Sequence, residues 1–79
     1  MQIRYFAGAA EAAGTVGEEV AEGDLTGEAL IARLGAGRDD LAAVLAVSTL
    51  LVDGRPLADE SAVVPGGAQV DVLPPFAGG

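Results

Sequence analysis

Cysteine, histidine and lysine are absent from all 79 residues. Each absence removes a class of chemistry. Without Cys or His there is no thiolate nucleophile, no Ser-His-Asp or Cys-His relay, and no zinc site of the usual ligand types, so no metal site is expected. Without Lys there is no Schiff base and no phosphate-loop lysine. The aromatic residues are Tyr5, Phe6 and Phe76 alone, and positive charge is confined to four Arg against 12 Asp plus Glu, a formal net charge of −8. That charge repels phosphate backbones, so no nucleic-acid partner is expected; partners with basic docking surfaces are favoured, steered by charge and weakened by salt. No apolar run approaches the roughly 20 residues that span a bilayer, and no basic region followed by a hydrophobic stretch opens the chain, so no membrane partner and no export signal are expected. Lack of Cys also means that disulfides do not hold the fold, which suits a reducing cytoplasm, the expected location.

What remains is small and aliphatic. Apolar residues make up 51% of the chain, but 16 of them are Ala, so the core falls to Val, Leu and Ile. At 7.8 kDa a chain buries about 60% of its unfolded surface, which supports one modest core and no second domain or deep cleft.

The order of elements can be followed along the chain. Met1, Ile3 and Tyr5 alternate with Gln2 and Arg4 at the two-residue period of a half-buried strand, which leaves Phe6 on the polar side. The Ala-rich stretch from Gly8 to Gly14 is either a short helical turn or a broad loop. A second strand is expected over Thr15 to Ala21, with Gly17 weakening it or marking a bulge. Thr26 is the expected N-cap of a helix whose Leu30, Ile31 and Leu34 form a core-facing stripe, with Gly35 as the C′ residue that ends it. Arg38 to Leu45 offers a second short helix, with Asp39 and Asp40 at its positive end. Thr49 to Val52 reads as a strand running into the tight turn Asp53-Gly54, and Pro56 places the returning strand at a sheet edge. Asp59 to Val64 is expected to hold one short turn of helix. Pro65-Gly66-Gly67 then turns into a last strand over Ala68 to Leu73. The first and last strands alternate most cleanly and are expected side by side as a central parallel pair with the hairpin strands outside. The expected fold class is α+β: a β-grasp, ubiquitin-like, with a mixed sheet of about four strands packed on one main helix plus short helices.

The C-terminus carries the functional signal. The expected domain covers residues 1–73 and the expected flexible tail residues 74–79, Pro74-Pro75-Phe76-Ala77-Gly78-Gly79. Two prolines stop the sheet and stiffen the exit, and six extended residues reach about 20 Å. Gly78 and Gly79 have no side chains and can enter a channel closed to a Cβ. A short, stiff, bare tail is suited to delivering its own carboxylate into another protein's active site. That carboxylate is ionised at neutral pH and a poor electrophile until it is activated.

These segments resemble the MoaD/ThiS group of ubiquitin-like sulfur carriers, and within it the small subunits of molybdopterin synthase. The resemblance covers essentially the whole chain. It rests on Tyr5-Phe6-Ala7 with Glu11 and Gly14, on Leu51-Val52-Asp53-Gly54, and on Leu73 to Gly79 with its diproline and terminal Gly-Gly. Two positions depart from the group's usual pattern: Ala10 stands where an Arg commonly precedes the Glu, and Asp53 where an Asn commonly precedes the Gly. The resemblance implies that Gly79 is adenylated by a MoeB-like, ATP-using enzyme, with no cofactor bound by the chain itself. A sulfurtransferase then supplies sulfur, giving a thiocarboxylate. It further implies that a MoaE-like large subunit receives the tail and passes the sulfur to cyclic pyranopterin monophosphate, making molybdopterin. In that scheme this chain is a non-catalytic sulfur donor.

Around the tail root, Phe6, Leu57 and Leu73 are expected to form a docking patch, with Pro74, Pro75, Phe76 and Ala77 as further partner contacts. The adjacent pairs Glu18-Glu19, Asp39-Asp40 and Asp59-Glu60 read as solvated surface. Other readings keep the carrier chemistry but change the acceptor to thiamine, cysteine or tRNA thiolation. A further one makes the chain a ubiquitin-like modifier of other proteins, since without Lys it cannot build isopeptide chains on its own side chains.

Overall fold

The alternation at the start of the chain becomes β1 (Gln2–Tyr5), and that of the last segment becomes β7 (Gln69–Leu73). In the computed structural model, which describes residues 1–75, these two strands lie side by side and parallel, Gln2 opposite Gln69 and Tyr5 opposite Val72. Ile3, Tyr5, Val70 and Val72 all point to the same face and are buried, as the two-residue side-chain period requires.

The remaining strands flank this pair. β2 (Gly17–Glu19) lies antiparallel to β1, and β4 (Thr49–Val52) lies antiparallel to β7. β5 (Arg55–Pro56) hangs from β4 at the edge, giving the order β2-β1-β7-β4-β5. Pro56 lacks an N–H to donate, which confines it to such an edge. Asp53 and Gly54 both take positive φ, 49° and 84°, the backbone of the tightest hairpin turns. The Asp53 carboxylate also accepts from the Gln69 N–H at 3.0 Å, tying this turn to β7.

Helices cover one face. α1 (Gly8–Ala13), α2 (Gly27–Gly35) and α3 (Asp39–Leu45) bury Ala9, Leu30, Leu34, Leu41 and Leu45 against the sheet. The Thr26 hydroxyl caps α2 by accepting from the Ala29 N–H at 3.1 Å. Each fully buried Leu contributes about 1.5–3 kcal/mol relative to exposure, so α2 is held by its apolar face more than by helix propensity. No polar or charged side chain is buried among the described residues.

The structure departs from the sequence expectations in four places. The main sheet has five strands rather than about four. Gly35 does not end α2 as a left-handed cap: it lies inside the helix, where a Cβ would approach Ala42 at 3.0–3.3 Å, so its role is close packing of α2 on α3. The positive φ falls to Gly37 instead. Asp59 to Ala62 forms a hydrogen-bonded turn rather than a helical one, and β6 (Val63–Val64) pairs with β3 (Leu25–Thr26) as a separate two-stranded sheet. Two-residue strands carry no periodicity that a sequence pattern can detect. Pro74, expected to begin the tail, is buried in the domain, and Pro75 is exposed.

Gly17 marks a close approach: a Cβ there would sit 2.9 Å from the Ile3 carbonyl oxygen, which cannot shift without disturbing the β1 ladder. Gly17→Ala is therefore expected to destabilise the fold by about 1–3 kcal/mol, in the range of overpacked sites. Gly23→Ala, where nothing lies within 4 Å, should stay within about 0.5 kcal/mol of the parent. Urea midpoints at unchanged slope check both, and equal midpoints for the two variants would refute the close approach.

Candidate functional site

Because β1 and β7 run parallel, their C-terminal ends emerge at the same edge of the sheet. Phe6 follows β1 and Leu73 ends β7, and extending the register places them opposite each other on the helix-free face. The Phe6 N–H donates to the Val72 carbonyl at 3.2 Å, and its own carbonyl accepts from the Ala9 N–H at 3.0 Å. Between those anchors Ala7 adopts φ 50°, ψ −127°, a turn position usually taken by glycine. The backbone on both sides of Phe6 is thus fixed. Phe6 nevertheless remains 36% exposed.

Arg4 covers the Phe6 ring, with its guanidinium carbon 5.6 Å from the centroid. The same guanidinium forms a fork with Asp71 on β7, Nε to Oδ1 at 2.8 Å and Nη2 to Oδ2 at 3.0 Å. The hydrogen bonds from Arg4 hold the Asp71 carboxyl below its ordinary range, against the opposing effect of partial burial, and raise Arg4 in return. The fork crosses the parallel pair on its open face, next to Phe6.

Leu73 is half-buried opposite Thr49 on β4, and Pro74 is buried beyond it. Pro74 is therefore held by the domain. Leu57 is not part of this surface. It follows β5 on the helix side, its N–H bonded to the Leu50 carbonyl at 2.9 Å and its side chain packed against the core. The expected patch of Phe6, Leu57 and Leu73 thus reduces to Phe6 and Leu73, with Leu57 separated from them by the thickness of the sheet. The side-chain alternation after Pro56, once β4 and β5 are paired, forces this. Phe76, Ala77, Gly78 and Gly79 lie outside the described residues.

Sequence reasoning missed one polar cluster. Glu18, read as solvated, is half-buried and accepts from the Tyr5 hydroxyl at 2.8 Å and from Arg38 Nη2 at 2.9 Å, while Arg38 Nε donates to the Leu34 carbonyl at 3.0 Å. Burial first, and the Glu18 bond second, push the Tyr5 hydroxyl pKa up, so it stays a neutral donor. The cluster fastens the edge strand β2 to the turn between α2 and α3. Only its position opposite Ile3 on the helix face distinguishes Glu18 from Glu19.

Among the described residues no three His, Cys, Asp or Glu side chains converge as metal ligands, and no helix is long and apolar enough to cross a membrane. The arrangement presents an aromatic and a leucine side by side where β1 and β7 end.

Comparison with known proteins gives a consistent picture. The ThiS family profile matches residues 3–79. No curated protein matches the chain. Among solved structures, a candidate molybdopterin converting factor subunit 1 from Pyrococcus furiosus is similar at 24% identity over 95% of each chain, with a TM-score of 0.77. SAMP1 from Haloferax volcanii is similar at 25% identity over 100% of this chain and 98% of that one, with a TM-score of 0.75. Another Haloferax volcanii protein, solved in solution, is similar at 27% identity over 99% of this chain and 84% of that one, with a TM-score of 0.72.

The Arg4–Asp71 fork predicts a defined acid response. A carboxyl with a depressed folded pKa contributes stability that is fully present above its unfolded pKa and is lost as pH falls through the folded value. Because Arg4 is half exposed, the contribution is small and weakens in high salt. The parent and Asp71→Asn should therefore differ most near pH 7 and converge as pH falls through and below the ordinary carboxyl range. Thermal melts across that range check this, and a difference that grows towards acid would refute it.

Proposed function

The chain belongs to the ThiS family of ubiquitin-fold sulfur carriers, and from that premise we propose that it is the sulfur-donating small subunit of a molybdopterin synthase. The observation that carries this reading is the exit of β7. A central strand, parallel to β1, ends beside Phe6, and Pro74 is buried at the root of the short segment that follows. In a chain ending at Gly79, four residues beyond Pro75 reach about 13 Å, enough to carry a carboxylate into a narrow channel.

In this scheme a MoeB-like enzyme uses ATP to adenylate the Gly79 carboxylate, releasing pyrophosphate. A hydrosulfide equivalent from a sulfurtransferase displaces AMP and leaves a thiocarboxylate. A MoaE-like large subunit receives the tail, with Gly78 and Gly79 in its channel, Pro75, Phe76 and Ala77 along the approach, and Phe6, Leu73 and Pro74 at the root. It supplies the basic groups that transfer sulfur to cyclic pyranopterin monophosphate. The charge of −8 suits a basic partner.

A second reading has one specific support, the likeness to SAMP1 at 25% identity over the whole chain; a related structure is named a small archaeal modifier protein. A modifier would join its tail to lysines of other proteins, since this chain has none.

The intact mass of the chain after incubation with ATP, sulfide and a MoeB-like enzyme tests the first reading. The expected gain is one sulfur in place of one oxygen, localised to Gly79 and discharged when a MoaE-like subunit and cyclic pyranopterin monophosphate are added. Removal of Gly79 should abolish the gain while leaving stability within about 0.5 kcal/mol. No gain with an enzyme active on another carrier would refute the reading. A gain that discharges only into high-mass protein adducts would establish the modifier.

A further inference from the structure

On the far side of the sheet from Phe6, α2, the start of β4 and the segment after β5 enclose a pocket of about 220 Å³. Its apolar lining comes from Ile31, Leu50 and Leu57, and its polar lining from Thr49, Asp59 and Glu60, with Ser48 alongside. The volume lies below the roughly 300 Å³ at which small-molecule sites begin, and suits one long side chain.

The walls are fixed. At the N-terminus of α2 the Gly27 N–H donates to the Ala62 carbonyl at 3.0 Å and the Glu28 N–H to the Glu60 carbonyl at 2.9 Å. Two otherwise unpartnered helix donors thereby hold the 60–62 segment in place. Gly27 allows this approach, because a Cβ there would press on Leu57 and on the Glu60 backbone. On the same wall the Asp59 carboxylate accepts from the Ser61 N–H at 2.7 Å and from the Ser61 hydroxyl. Those bonds, the hydroxyl first, lower its pKa and keep it ionised.

The rim carries two carboxylates and no cation. The three ion pairs among the described residues join Arg4 to Asp71, Arg33 to Glu22 and Arg38 to Glu18, so the Glu60 carboxylate is in none of them. An apolar floor under an anionic rim is complementary to a side chain with an aliphatic stem and a positive head.

We propose that this pocket seats a single arginine side chain presented by a basic partner protein. The methylene stem lies on Ile31, Leu50 and Leu57, and the guanidinium reaches the Glu60 and Asp59 carboxylates, both of which can accept from its five donors. Thr49 pairs with Leu73, the last residue of β7, so the pocket opens at the end of the sheet from which the tail leaves. A partner that receives the tail can therefore grip the domain on its second face. The proposal rests on the pocket alone and stands whether or not Gly79 carries sulfur.

The test is an NMR titration of the full chain with the peptide acetyl-Gly-Ser-Arg-Ser-Gly-amide, its citrulline counterpart and guanidinium chloride. The arginine peptide is expected to give saturable shifts at the Ile31, Leu50 and Leu57 methyls and the 57–60 amides, with Kd on the order of 1 mM. Citrulline, which keeps the stem and loses the charge, should bind about fivefold more weakly, and Glu60→Gln should weaken the arginine peptide by a similar factor. Glu11→Gln removes the same charge on α1 and should leave binding unchanged. Equal shifts with guanidinium alone, no difference between Glu60→Gln and Glu11→Gln, or no saturable shift at these methyls would each overturn the proposal. So would a tenfold tightening on deletion of residues 76–79, which would make the chain's own tail the occupant.

Discussion

The parallel contact between the first and last strands is the constraint on which the rest of the structure depends. Gln2 and Gln69 are 67 residues apart in sequence and adjacent in the sheet, and closing so long a loop costs conformational entropy that no local interaction offsets. What offsets it is the burial of Ile3, Tyr5, Val70 and Val72 beneath α2 and α3, reinforced on the opposite face by the Arg4–Asp71 fork. With that pair in the middle, β2 and β4 have one free edge each to join. The hairpin turn at Asp53-Gly54 and the Thr26 cap then complete elements whose positions are already decided.

The same contact sets what the protein presents to others. Parallel strands finish at the same edge, so the residue after β1 and the residue that ends β7 emerge together. Pro74, one residue beyond β7, is buried as well. The protein's surface carries an aromatic and a leucine on the open face and an acid-rimmed pocket on the helical face.

Polar side chains at the margins of the core work as fasteners. Glu18 joins Tyr5 on β1 to Arg38 between the helices, and Asp53 joins the β4–β5 turn to β7. Each pins a short or edge strand that has too few ladder bonds to hold itself. Adjacent acidic residues therefore differ sharply in role: Glu18 is half-buried with two partners, and Glu19 is exposed.

Much of this was legible in the residues. The two-residue alternation around Ile3 and Val70, the Thr26 cap, the Leu30 and Leu34 stripe, the Asp53-Gly54 turn and the edge placement by Pro56 each follow from a local rule. Each involves residues no more than a turn or two apart. The tail motif and the family resemblance also needed no coordinates. By itself, then, the sequence determined an aliphatic α+β domain whose last two residues are Gly-Gly. Tertiary structure alone decided that Gly35 packs rather than caps, that Val63 and Val64 pair with Leu25 and Thr26, that Leu57 turns away from Phe6, and that Glu18 is a fastener. The reason is physical: each of those outcomes depends on an atom from a distant segment, and local periodicity carries no information about which segment that will be.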